Sequence, residues 1–98
     1  MCTSELLRSE ARSRFELLLD GQVTAFIDYV DHGNVLELTH TVTKPDFRGR
    51  GFARELVNFA LAHVTAEKKQ VMPSCPYVAE HIARHPEFAH LVARTPRS

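Results

Sequence analysis

A change of period across one short stretch most constrains how this chain can fold. Up to Thr43, apolar and polar residues alternate as on the two faces of a strand; from Phe52, apolar residues recur every three or four positions, as on one side of a helix. Between them lie a turn sequence, Lys44-Pro45-Asp46, and the tetrad Arg48-Gly49-Arg50-Gly51. Gly49 and Gly51 have no Cβ, so successive N–H groups can converge on one point, beside the unpaired donors and positive dipole end of the new helix. The stretch is either an ordinary turn or an anion cradle. It is not a Walker loop, which needs Gly-x-x-x-x-Gly-Lys-Ser/Thr, nor a dinucleotide fingerprint, which needs Gly-x-Gly-x-x-Gly.

The flanks place this loop in a fold. Phe15-Glu16-Leu17-Leu18-Leu19 runs into Asp20-Gly21, a hairpin signal. Val23, Ala25, Ile27 and Tyr29 alternate with Thr24, Phe26, Asp28 and Val30 up to a turn at 31–34. Val35 to Thr43 supplies a third strand, with Leu36, Leu38, His40 and Val42 expected on one face and Val35, Glu37, Thr39 and Thr41 on the other. Short turns make these three strands an antiparallel meander. After the loop, Phe52, Leu56, Phe59, Ala60 and His63 form the apolar stripe of a helix, flanked by Val57 and Val64, and the pattern fades near Glu67-Lys68-Lys69. Gln70-Val71-Met72-Pro73 reads as a short strand, parallel to the third through a right-handed crossover. The expected fold class is α/β with α+β character: a three-strand meander, one β-α-β crossover and C-terminal helices. This puts the glycine loop at the carboxyl end of the third strand, the edge that ligands of open α/β sheets favour.

Size and charge bound the rest. The 98 residues predict a single domain over 1–98 with its core at about 14–92, burying roughly 60 to 65% of the surface of the unfolded chain. Twelve basic residues balance 12 acidic ones, which gives no support to a nucleic-acid partner. Cys2 and Cys75 make no disulfide framework and lack zinc-site spacing, so no metal is expected. His81 and His85 share a helical face without a His-Glu-x-x-His arrangement and read as solvated. With no apolar run of ~18 residues there is no predicted membrane span, and a reducing, cytoplasmic compartment is the expectation.

The C-terminal part holds a second informative stretch. Pro76 suits the first position of a helix, which makes Cys75 its N-cap. A cysteine there sits in positive potential that favours thiolate. Tyr77, Val78 and Ile82 are expected to pack this helix, and Phe88, Leu91 and Val92 to cover the core.

Taken together, His40-Thr41, then Arg48-Gly49-Arg50-Gly51-Phe52-Ala53 before a helix, then Cys75-x-Tyr77 and His85-Pro86-Glu87-Phe88, resemble the small stand-alone family related to GNAT N-acetyltransferases and called Yjdj-type or acetyltransferase-like. The resemblance spans roughly Arg14 to Val92. It implies a minimal GNAT fold that binds acetyl-coenzyme A as cosubstrate. Gly49, Arg50, Gly51, Phe52 and Ala53 would offer backbone donors to its pyrophosphate, with Arg48 opening the loop; Thr41, Val42 and Thr43 would pair their main chain with the pantetheine arm. Thr43 stands where the family more often has an aliphatic residue. Transfer to an amine with a pKa of ~10.4 needs deprotonation, and His40 is either that base or a hydrogen-bonded core histidine. Cys75 either accepts the acetyl group, lines the acetyl pocket or is an inert core cysteine. The resemblance thus implies an N-acetyltransferase acting on an unspecified amine, small molecule or protein; the alternative is a coenzyme A or acyl-CoA binding module without turnover.

Overall fold

The computed structural model describes residues 4–93. Strands β1 (Ser4–Ser9), β2 (Arg14–Leu19), β3 (Gln22–Asp31) and β4 (Val35–Thr43) lead through a 3₁₀ turn at Pro45–Phe47 into helix α1 (Phe52–Ala66). Strand β5 (Gln70–Pro73), helix α2 (Pro76–Arg84) and a 3₁₀ segment (Pro86–Leu91) complete the order. One sheet holds all five strands in the order β1-β2-β3-β4-β5. The first four pair antiparallel and β5 joins β4 in parallel.

The meander therefore has four strands, not three. Ser4–Ser9 pairs along its full length with β2, from Ser4↔Leu19 to Ser9↔Arg14. Its exposed start and two adjacent leucines give no alternation to read. The Asp20-Gly21 hairpin forms as expected: both residues have positive φ, 52° and 81°, the backbone of a turn whose twist matches that of its strands.

One face of the sheet is closed by the helices. Phe15, Leu17, Ala25, Ile27, Tyr29, Leu36 and Leu38 form a single buried cluster with Leu56, Val57, Ala60, Leu61 and Val64 of α1. Val71 of β5, Val78 and Ile82 of α2, and Leu91 join it. Burying each large aliphatic side chain contributes about 1.5–3 kcal/mol. The α1 stripe is rotated from the expected one. Leu61 is fully buried, whereas Phe52, Phe59 and His63 are only half-buried at the margin of the core. Phe59 and His63 wrap the edge of Phe15, with ring centroids 6.0 and 5.5 Å from its own.

The sheet is pinned at the end remote from the glycine loop. Arg8 on β1 lies over the Tyr29 ring, donates from Nε to its hydroxyl at 3.1 Å, and ion-pairs with Glu67 just past α1. Lys69 bridges Glu67 and Asp31, each at 3.2 Å. At the outer edge of β5, the Ala93 N–H donates to Val71 O at 2.8 Å, so an isolated bridge at Val92 extends the sheet there.

Candidate functional site

The site is built where β4 and β5 part. Their ladder runs for four pairs, from Val35↔Gln70 to Leu38↔Pro73. The Cys75 N–H then closes it by donating to Leu38 O at 3.0 Å, and α2 begins. Among the described residues, no strand pairs with the β5 side of β4 beyond Leu38, so the main chain from Thr39 to Thr43 borders an open wedge.

At the top of that wedge is the glycine loop. Gly49 and Gly51 take φ of 80° and 79°, a region that strains any residue with a Cβ. Gly51 is the N-cap of α1 and has no side chain to satisfy the first-turn donors of the helix, which stay available to a ligand. Arg48 folds back to donate from Nε to Thr43 O at 3.3 Å, tying the loop to the strand end. Arg50 sits over the Phe47 ring, 5.5 Å from its centroid.

Two clefts meet at the loop. A smaller one of about 230 Å³ runs between Thr43, Phe47, Phe52 and Ala53 on one side and Tyr77 on the other. The larger, about 630 Å³, continues from Gly49-Arg50-Gly51 past Arg54 of α1. Its far wall is one face of α2: Tyr77, Glu80, His81, Arg84 and His85. Every residue of the glycine loop from Arg48 to Ala53 thus lines one or both clefts.

A bulge in β4 decides which side chains face this space. Ile27 pairs with Thr41 and Asp28 with His40, but Tyr29 pairs with Leu38, so β4 carries one extra residue between Leu38 and His40. The alternation flips there. Leu36 and Leu38 face the core; after the bulge it is Thr41 and Thr43, opposite the buried Ile27 and Ala25, that take that side. The expectation that His40 and Val42 share a face with Leu36 and Leu38 is therefore corrected. His40 and Val42 are exposed on the opposite face of the sheet. A core role for His40 is excluded by the same fact.

The bulge brings Thr41 to Cys75. The Cys75 Sγ lies 3.3 Å from Thr41 Oγ1, at the N-cap position expected from the sequence. Burial pushes the thiol up, but the Thr41 hydroxyl and the N–H groups of Val78, Tyr77 and Thr41 outweigh it, and the thiol ends below its ordinary value. Cys75 is thus buried, with its thiol held below the ordinary value by its hydrogen-bond partners.

Two α2 residues depart from expectation. Tyr77, expected to pack the helix, is 42% exposed and stands between the two clefts, while Val78 and Ile82 do pack. His81, read as solvated, is only 7% exposed. It packs against His85 in a tilted pair with ring centroids 4.4 Å apart, and its Nε2 is 2.9 Å from Asn58 Oδ1 on α1. Burial first, then the charges of His85 and Arg54, lower its pKa against a small opposing pull from Glu87. The spacing Tyr77, His81, Arg84 places one row along α2, a signal available in the sequence; which way that row turns depends on how α2 docks.

A sheet whose fourth and fifth strands part beside a glycine loop at a helix N-terminus defines a class of ligand-binding α/β proteins, and the comparisons narrow it. Residues 14–91 match the family model described as GCN5-related N-acetyl-transferase, and the chain belongs to that family. Protein NATD1 of Gallus gallus is 26% identical over 88 residues, covering 87% of this chain and 79% of NATD1. A GCN5-like protein of Staphylococcus aureus, solved by NMR, superposes with a TM-score of 0.70 at 16% identity, covering 95% of this chain and 91% of the other. The aminoglycoside N-acetyltransferase AAC(6')-Iy, crystallised with CoA, superposes with a TM-score of 0.52 at 22% identity, covering 87% and 62% respectively. At these identities the two structures establish a shared fold.

Proposed function

We propose that this protein is an acetyl-CoA-dependent N-acetyltransferase acting on an amine. The observation that carries the reading is that the glycine loop lines two clefts sharing Gly49, Gly51 and Tyr77, one of which reaches Thr43 at the end of the unpaired edge of β4. The N–H groups of residues 49–53 hold the pyrophosphate, and the main chain of Thr41, Val42 and Thr43 holds the pantetheine arm as an added strand would. That a protein of the same fold was crystallised with CoA supports the same cosubstrate here.

The flip in β4 assigns sides to the chemistry. The thioester lies on the helix side of the wedge, near Cys75, and the amine approaches from the opposite face, where His40 is exposed. His40 takes a proton from the ammonium; the free amine attacks the thioester carbonyl, the C–N bond forms, the adduct nitrogen gives up a second proton to solvent, and the C–S bond breaks to release coenzyme A as thiolate. Tyr77, between the clefts, is placed to protonate that thiolate. The reading is direct transfer in a ternary complex. A two-step route through acetyl-Cys75 is its variant, and a free buried Cys75 suits a reducing cytoplasmic setting.

A second reading, a coenzyme A binding module without turnover, is favoured by the separation of His40 and Cys75 onto different faces of β4. Calorimetric titration with acetyl-CoA tests both, repeated on Gly51→Glu, which places a bulky anion at a left-handed position of the cradle. Saturable binding lost in the variant is expected. No binding by the native protein up to millimolar ligand overturns both readings; binding without acetyl transfer to any of a panel of amines leaves the module.

A further inference from the structure

The two edges of the sheet are built differently. The β5 edge is guarded in the ways natural sheets use: the strand is four residues long, ends in Pro73 and is bridged at Val92. The β1 edge has none of these. Ser4–Ser9 runs six residues without proline, glycine or lysine, and pairs with β2 without a register shift. Among the described residues, no strand pairs with its outer side. Its one cation is no guard either, because Arg8 is turned onto the helix face over Phe15 and Tyr29, is paired with Glu67 and is 12% exposed. Such an edge offers a row of N–H and C=O groups to another strand.

The residues of β1 select that strand. Alternation puts Leu6 and Arg8 on the helix face, and Glu5, Leu7 and Ser9 on the helix-free face, beside Leu18, Glu16 and Arg14 of β2. Two copies related by a two-fold axis normal to the sheet pair antiparallel, and opposed residues point to the same face, so the axis passes through a residue and not between two. An axis on Leu7 opposes Leu7 to its own copy, Leu6 to Arg8, and Glu5 to Ser9. Beside Ser9 stands Arg12, whose N–H donates to Ser9 Oγ at 3.3 Å. The Arg12 guanidinium is 66% exposed and lies 3.6 Å from Glu16 Oε2, an oxygen with no hydrogen bond, so Arg12 is not committed there. The exposed Glu5 thus comes level with Arg12 of the partner subunit, and symmetry makes the contact twice. We infer that β1 pairs with β1 of a second copy of this chain, antiparallel and centred on Leu7, giving one sheet that runs through both chains and is held at its seam by two Glu5–Arg12 ion pairs. The two β4–β5 wedges stay at the far ends of that sheet, so the inference goes beyond the acetyl-CoA reading and does not depend on it. A seam of this length falls below about 1,200 Å² of buried surface, the low end for specific interfaces, and half-association is expected at roughly 100 μM.

The test is sedimentation of native protein, Glu5→Arg, Arg12→Glu and an equimolar mixture of the two variants, from about 10 μM to about 1 mM. Native protein is expected to pass from monomer to dimer across that range. Each variant alone opposes like charges twice and associates about tenfold more weakly or worse, whereas the mixture restores both ion pairs in a heterodimer and recovers the native affinity. Glu5 and Arg12 are exposed, so the variants fold, as circular dichroism will verify. Hydrogen exchange supplies a reading that needs no variant: amides of Ser4–Ser9 gain protection as native concentration rises. Native protein that stays monomeric to about 1 mM, variants that dimerise as native protein does, or a mixture no tighter than its components overturns the inference; each result leaves the acetyl-CoA reading standing.

Discussion

At the scale of single residues, the contact between Thr41 and Cys75 makes the sharpest prediction. The Thr41 hydroxyl is the largest single influence holding the thiol down, and Thr41→Val removes it while keeping shape. In a Cys2→Ser background, thiolate absorbance followed against pH should show a midpoint below that of Cys75 in the unfolded chain, moving upward in Thr41→Val. An unmoved midpoint would assign the effect to the helix N–H groups alone. Cys75 itself was legible as an N-cap because Pro76 announces the helix start. His40 was legible as a residue near the end of β4 but not in its facing, since one extra residue in β4 reverses the alternation and leaves no mark in composition. Tyr77 and His81 were misplaced for a related reason. Both lie on α2 where a packed or a solvated side is equally compatible with spacing, and only the docking of the helix chooses.

At the scale of elements, boundaries were read better than faces. Strand β5, α1 and the start of α2 fall where Gly51, Pro73 and Pro76 punctuate the chain. Strand β1 escaped because its pairing partner, not its own pattern, makes it a strand. The rotation of α1 makes Leu61, rather than Phe59, the residue on which helix-to-sheet packing depends. Leu61→Ala should cost about 2–5 kcal/mol in urea unfolding, the range for a truncated core leucine, and Phe59→Ala less than its size suggests, because Phe59 keeps partial contact with water. Equal losses would return the stripe to the orientation expected from the sequence.

At the scale of the whole molecule, the pairs that stitch distant elements share one response to acid. Asp31 is held low by the Gly33 N–H and then by Lys69, and Glu37 by the Ser74 hydroxyl and then by His32. Glu67, which burial pushes up, is brought below its ordinary value by Lys69 and Arg8. His81 is also lowered, chiefly by burial. In each case the folded protein binds fewer protons than the unfolded chain at intermediate pH. Stability is therefore full near neutrality, declines first below about 6.5 as His81 must be held neutral, and declines again below about 4 as the carboxylates protonate. Urea midpoints at pH 7, 5.5 and 4 should fall in that order, and the second step should shrink in Lys69→Gln; a midpoint that rises on acidification would contradict the arrangement.

The wedge beside β4 has an evolutionary corollary. On the proposed function, a ligand gripped by the main chain of a strand and by the amides of a glycine loop is recognised by groups that every amino acid but proline possesses. Side chains along that grip can then drift with little penalty. What selection must guard is the path of the chain: two left-handed glycines, one bulge, and a ladder that stops after four pairs. Distant relatives are then expected to keep the shape of this site long after their sequences have ceased to resemble one another.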